Sequence, residues 1–146
     1  MDSPVAPTAI RGVVIDGSKV SVEGWSQSER GAVTWRTLIS GERTPTDRLT
    51  LGVADVEPEP EGAVILHRHA QAEAYYVLSG EGVVSIDGAE HPLSPGAAVF
   101  IPGGALHAAR ATGSETLKLL WVFAADAFEQ VIYEFPGDGD AALRSE

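Results

Sequence analysis

The stretch GAVILHRHAQAEAYYVLSG, residues 62–80, decides the fold. It sets His67 and His69 two residues apart in an apolar run, follows them with Glu73, and is bounded by Gly62 and Gly80. On an extended strand, residues i and i+2 face the same side, so both imidazoles point to one interior spot while Arg68 turns away. Glu73 keeps that parity across a short bend. A second stretch, GAAVFIPGGALHAARA over 96–111, carries His107 beyond a Pro-Gly-Gly turn. Three imidazoles and one carboxylate suit a single divalent transition metal (Fe, Mn, Ni, Co or Zn), with nitrogen distances of about 2.0–2.1 Å for zinc. Such a set leaves positions open for water or substrate. Any one of these histidines alone reads equally well as a surface residue or a hydrogen-bonded core residue. The glycine and proline frame that brings the distant His107 to the pair raises the cluster above that reading.

Working outward, short strands dominate. Val33–Ser40 is rich in β-branched and aromatic residues, and Leu49–Val56 alternates with a period of two before breaking at Glu57-Pro58-Glu59-Pro60. Further strands are expected at Val64–Leu66, Ala74–Ser79, Gly82–Asp87, Ala97–Ile101, Leu106–Ala111, Thr116–Phe123 and Val131–Phe135. Ile10–Glu23 reads as a hairpin about an Asp16-Gly17 turn, and Ala124–Gln130 as one short helix. Gly80 and Gly96 are expected at positive φ, and Pro102 fixes the approach of the strand that carries His107. His91 precedes Pro92 between the two motifs and is expected in an exposed loop.

At 146 residues and 44% hydrophobic, the chain can bury one core, expected to be mostly aliphatic. It reads as one domain over 1–146, with flexible ends at 1–9 and 136–146. Twenty-one acidic against ten basic residues give a charge of -11, which repels phosphate backbones and excludes nucleic acid as a partner. No cysteine is present, which rules out disulfides, thiolate metal sites and a cysteine nucleophile. No run reaches the roughly 20 apolar residues of a membrane helix, and the N-terminus lacks a signal pattern. A cytoplasmic protein with no membrane partner is expected.

The two stretches resemble the paired motifs of the cupin superfamily. The first of these is written Gly, five residues, His-x-His, three or four residues, Glu, six residues, Gly. Gly62, His67, His69, Glu73 and Gly80 match it, apart from one residue fewer after Gly62. The second runs Gly, five residues, Pro-x-Gly, two residues, His, three residues, Asn. Gly96, Pro102, Gly104 and His107 match it, with Ala111 where the family often has Asn. The resemblance, over 62–111, implies an all-β cupin jelly-roll barrel (a double-stranded β-helix) with N-terminal strands, and a homodimer paired through outer sheets.

Cupins host many chemistries, so side chains near the metal must choose among them. Parity turns Tyr75 inward with Glu73 and Tyr76 outward, and Val131, Tyr133 and Phe135 share a face. A cation beside a phenol favours its ionised form, which makes Tyr75 a candidate base. The placement of Tyr75 and Tyr133 resembles the cupin-type dimethylsulfoniopropionate lyases, which bind a carboxylate on a divalent metal and use a tyrosine base for β-elimination. The resemblance implies a small-molecule carboxylate substrate, with Tyr75 and Tyr133 catalytic. Core packing is the plainer role for both tyrosines. Trp25, Trp35 and Trp121 read as core or pocket lining, with Trp35 and Trp121 able to flank a sulfonium. An iron-dependent dioxygenase and a non-catalytic ligand-binding cupin remain as alternatives.

Overall fold

In the computed structural model, which describes residues 9–25 and 32–136, two antiparallel sheets face each other. The strands are β1 (Glu23–Trp25), β2 (Val33–Ile39), β3 (Thr50–Val56), β4 (Val64–His67), β5 (Glu73–Ser79), β6 (Gly82–Ile86), β7 (Ala89–Leu93), β8 (Ala98–Ile101), β9 (His107–Ala111) and β10 (Leu117–Phe123). One sheet runs β1-β2-β3-β10-β5-β8 and the other β4-β9-β6-β7. This is the jelly-roll barrel expected from the motifs.

Alternation places the core. In β3 and β10 every second residue is buried, so Val56, Leu117, Leu119, Trp121 and Phe123 fill the space between the sheets. Val77, Val84 and Ile101 meet them there. The core is aliphatic at one end, as expected, and aromatic at the other. Gly80 and Gly96 take φ of +82° and +93°, the left-handed turns their positions called for.

Four local expectations are corrected. The hairpin over Ile10–Glu23 does not form: the Asp16 carboxylate accepts from the Ser18 N–H and hydroxyl and caps a 3₁₀ turn, Gly17–Lys19. Val14 is 98% exposed, so no facing sheet rewards an extended pair there. The helix over Ala124–Gln130 is reduced to one 3₁₀ turn, Phe128–Gln130. Before that turn Ala125 and Ala127 are buried in extended alternation, and the backbone is claimed by other segments: Gly41 N–H donates to Asp126 O, and Phe128 N–H to Ser40 Oγ. Val131–Phe135 keeps the predicted alternation but forms no strand ladder among the described residues, where it is bridged by reciprocal Arg68–Glu134 backbone bonds. His91 is exposed as expected, yet it lies on strand β7 and not in a loop. The expected flexible ends fall almost wholly outside the described residues.

Candidate metal centre

His67 ends β4 directly opposite His107, which begins β9, and their rings sit 4.1 Å apart. His69 occupies the bend between β4 and β5. Gly103 lets that bend close, since a Cβ there would meet Ala70 O at 2.2 Å, and Gly104 N–H donates to His69 O. Glu73 opens β5, paired with Phe123 and Ile101. His67, His69 and His107 are at most 2% exposed and Glu73 6%, while Arg68 between the first two is only half-buried, as parity requires. The structure therefore brings all four residues singled out in the sequence to one place.

The hydrogen bonds orient the imidazoles. Each Nδ1 faces a backbone carbonyl: His67 that of Ile65 at 2.7 Å, His69 that of Gln71 at 3.0 Å, His107 that of Ala105 at 2.9 Å. A carbonyl only accepts, so each Nδ1 carries a proton and each ring turns its Nε2 inward. The three histidines can place one ring nitrogen each within 4.8 Å of the others. Glu73 Oε1 lies 3.2 Å from His69 Nε2 and 3.3 Å from His107 Nε2. His107 Nε2 is buried with no hydrogen-bond partner. His69 Nε2 and Glu73 Oε1 are hydrogen-bonded to each other while His107 Nε2 beside them has no partner, and three ring nitrogens gathered with a carboxylate oxygen in one buried spot form a donor set that fits a divalent ion. Burial pushes His67 down to about 3, aided by charge on His107, which keeps it in the neutral form a metal needs. Burial raises the Glu73 carboxyl, but His107 and His69 outweigh it and hold it below its ordinary value.

A cavity of about 50 Å³ opens beside this cluster, lined by His67, Glu73, Tyr75 and Tyr133 and walled by Trp25, Trp35, Trp121 and Phe128. Tyr75 is 6% exposed, and Tyr76 beside it 45%, so parity held. Burial, then the charge of Glu73 and the proximity of Tyr133, raises the Tyr75 phenol well above its ordinary value. Tyr133 is raised by burial and by Glu73; its ring stacks on His67 at 5.0 Å and meets His69 edge-on at 5.4 Å. Without a cation both phenols are neutral.

Sequence reasoning missed Phe128, which stacks on Trp35 and lines the cavity from a segment read as helix. It also missed the three carbonyls that set the imidazole tautomers. Every residue has a carbonyl, so no side-chain pattern marks those.

A family model described as the Cupin domain matches residues 54–123. Dimethylsulfoniopropionate lyase DddW of Ruegeria pomeroyi is 38% identical over 121 residues, covering 83% of this chain and 78% of that protein. An oxalate-binding protein of Thermotoga maritima is 31% identical over 114 residues, 76% of this chain and 93% of that protein. The crystal structure of a predicted oxalate decarboxylase from Thermotoga maritima matches with a TM-score of 0.67 at 29% identity, over 77% of this chain and 99% of that one.

Proposed function

The chain belongs to the cupin domain family, and from that premise we propose that it is a metal-dependent carbon–sulfur lyase acting on a small carboxylate such as dimethylsulfoniopropionate. In this reading His67, His69, Glu73 and His107 hold one divalent transition metal, Tyr75 is the base and Tyr133 assists. The observation that carries it is the burial of Tyr75 on the Glu73 face of β5, in one cavity with His67 and Tyr133. The similarity to a dimethylsulfoniopropionate lyase over most of both chains supports it.

When bound, a divalent cation supplies a Lewis-acidic anchor for a carboxylate and lowers the pKa of nearby phenols. The Tyr75 phenolate then takes a proton from the carbon next to the carboxylate. The electron pair left behind forms the carbon–carbon double bond, and the carbon–sulfur pair departs with sulfur, giving acrylate and dimethyl sulfide. Tyr133, stacked on His67, keeps that ring in place and walls the cavity. Trp25, Trp35 and Trp121, which line the cavity, offer aromatic surface to the sulfonium by cation–π attraction.

Purified protein loaded in turn with Fe, Mn, Ni, Co and Zn, then given dimethylsulfoniopropionate, is expected to release dimethyl sulfide. No product with any of them refutes the lyase. Similarity to an oxalate-binding protein, together with the small cavity, favours a second reading: a non-catalytic carboxylate-binding cupin. Calorimetric binding of oxalate without turnover would select it.

The same reading takes residues 1–146 as one cupin domain of a cytoplasmic homodimer with no nucleic-acid or membrane partner. No helix among the described residues is long and apolar enough to cross a membrane. On the outer face of the six-stranded sheet, Tyr76, Leu78 and Phe100 are 45%, 44% and 68% exposed, and Leu120 and Val122 adjoin them in register. In a chain of charge -11 this apolar patch is where a second copy meets least repulsion. Phe100→Glu is expected to give a monomer by light scattering, and a wild type already monomeric at high concentration refutes the pairing.

A further inference from the structure

Gly52 lies inside β3 with its missing side chain directed into the barrel, an expensive residue for a strand interior. Its partner on β10 is Trp121, which in turn pairs with Tyr75 on β5, so one row across the inner face reads Gly52, Trp121, Tyr75. A Cβ built on Gly52 would meet Trp121 Cζ2 at 2.3 Å, Trp121 Cε2 at 2.7 Å and Arg36 O at 2.4 Å. The indole therefore lies down on the backbone of β3, in the space any other side chain would take. Phe128 meets its edge at 5.3 Å and Phe123 packs at 5.5 Å, so the ring is held in that hollow.

We propose that Gly52, by seating the Trp121 indole against the sheet, sets the length of ligand that the cavity accepts. A side chain at position 52 lifts the ring off the sheet, and in a cavity of about 50 Å³ even a small displacement excludes ligand atoms. Gly52 touches no ligand itself; it is a positioning residue that acts through Trp121. The inference rests on the metal-and-carboxylate part of the reading above and needs no lyase turnover.

Straight-chain carboxylates from propionate to hexanoate are the probes, read by the visible absorption of cobalt-loaded protein. Their tails carry no charge, so cation–π attraction plays no part. The wild type is expected to lose affinity beyond one chain length. Trp121→Phe shortens the ring over Gly52 and is expected to move that limit outward, raising the affinity ratio of longest to shortest ligand about tenfold or more. Gly52→Ala is expected to move it inward and lower the same ratio. Because Gly52→Ala also presses on Arg36 O and can unfold β2 and β3, the Trp121→Phe arm decides if that variant does not fold. An unchanged length limit in Trp121→Phe, with wild-type binding intact, overturns the inference and leaves the metal reading standing. If no carboxylate of any length binds the cobalt-loaded wild type, the metal-and-carboxylate reading falls and this inference with it.

Discussion

Glu73→Gln separates a built metal site from an ordinary buried salt bridge. In the metal-free chain the Glu73 carboxylate faces His69 Nε2 at 3.2 Å and His107 Nε2 at 3.3 Å, and the Nδ1 protons of both rings are committed to backbone carbonyls. A glutamine amide of the same shape offers the Nε2 atoms a donor in place of an acceptor. At about pH 8, where free imidazole is neutral, the metal-free variant is therefore expected to be as stable as wild type or more so, by about 1 kcal/mol, one buried hydrogen bond gained. Metal reverses the order. A ligand at about 100 times its Kd stabilises the native state by about 2.7 kcal/mol, which for a chain of this size raises Tm by about 5–10 °C. Wild type is expected to show that rise with a preferred divalent ion, and Glu73→Gln only part of it. Thermal melts of chelator-stripped and reloaded protein, followed by circular dichroism, provide the measurement. A metal-free Glu73→Gln protein destabilised by several kcal/mol would mean that the carboxylate is bonded to protonated imidazoles even at that pH, and the expected order would be refuted. No rise in wild type with Fe, Mn, Ni, Co or Zn would refute the metal site itself.

Tyr75→Phe keeps the ring and its packing, so it is expected to retain the metal-induced rise in Tm while losing at least about a hundredfold in dimethyl sulfide release; turnover that survives intact removes Tyr75 as the base. Burial holds His67 at about 3, well below the 6.5 of a free histidine, so between those values the unfolded chain binds the extra proton. Urea melts of metal-free protein should therefore show stability complete above about pH 6.5 and declining as pH falls towards 3, by about 1.4 kcal/mol per unit, and a flat profile refutes a buried neutral His67. Phe123 is 1% exposed and packs against His69 and Trp121, so Phe123→Ala is expected to cost about 3–5 kcal/mol in chemical denaturation. A loss under about 1 kcal/mol would show that the aromatic end of the core collapses around the gap.

The centre was legible because its logic is local. Strand parity put His67, His69 and Tyr75 inside and Arg68 and Tyr76 elsewhere, and turn glycines supplied the long-range step to His107. The errors fall where parity has no sheet to act on. Val13, Val14 and Ile15 read as strand, but Val14 is almost fully exposed and no strand among the described residues pairs with them, and Asp16 satisfied the backbone locally by capping a turn. Ala124–Gln130 has helical composition, yet Ser40, Gly41 and Thr50 claim its polar backbone groups from residues distant in sequence. Propensity loses there to tertiary hydrogen bonds that no local window contains.

The division of the cavity wall follows from the same distinction. His67, His69, Glu73, His107 and Tyr75 all lie within residues 54–123, the segment that the cupin domain model matches. Trp25, Val33, Trp35, Phe128 and Tyr133, which line the same cavity, lie outside it on either side. The C-terminal part of that wall is a strap pinned by single contacts: Thr50 Oγ1 donating to Ala125 O, Phe128 N–H to Ser40 Oγ, Gln71 Nε2 to Gln130 O, and the Arg68–Glu134 bridge. None of those bonds involves a side chain of the histidine and glutamate cluster. The flank reaches the cluster through Tyr133, whose ring stacks on His67, while the imidazoles keep carbonyl partners of the matched segment, Ile65, Gln71 and Ala105. The cavity wall is thus shared between the segment that orients the imidazoles and the flanks that close over it, with Gly52 just outside that segment and its partner Trp121 inside it at the join between them.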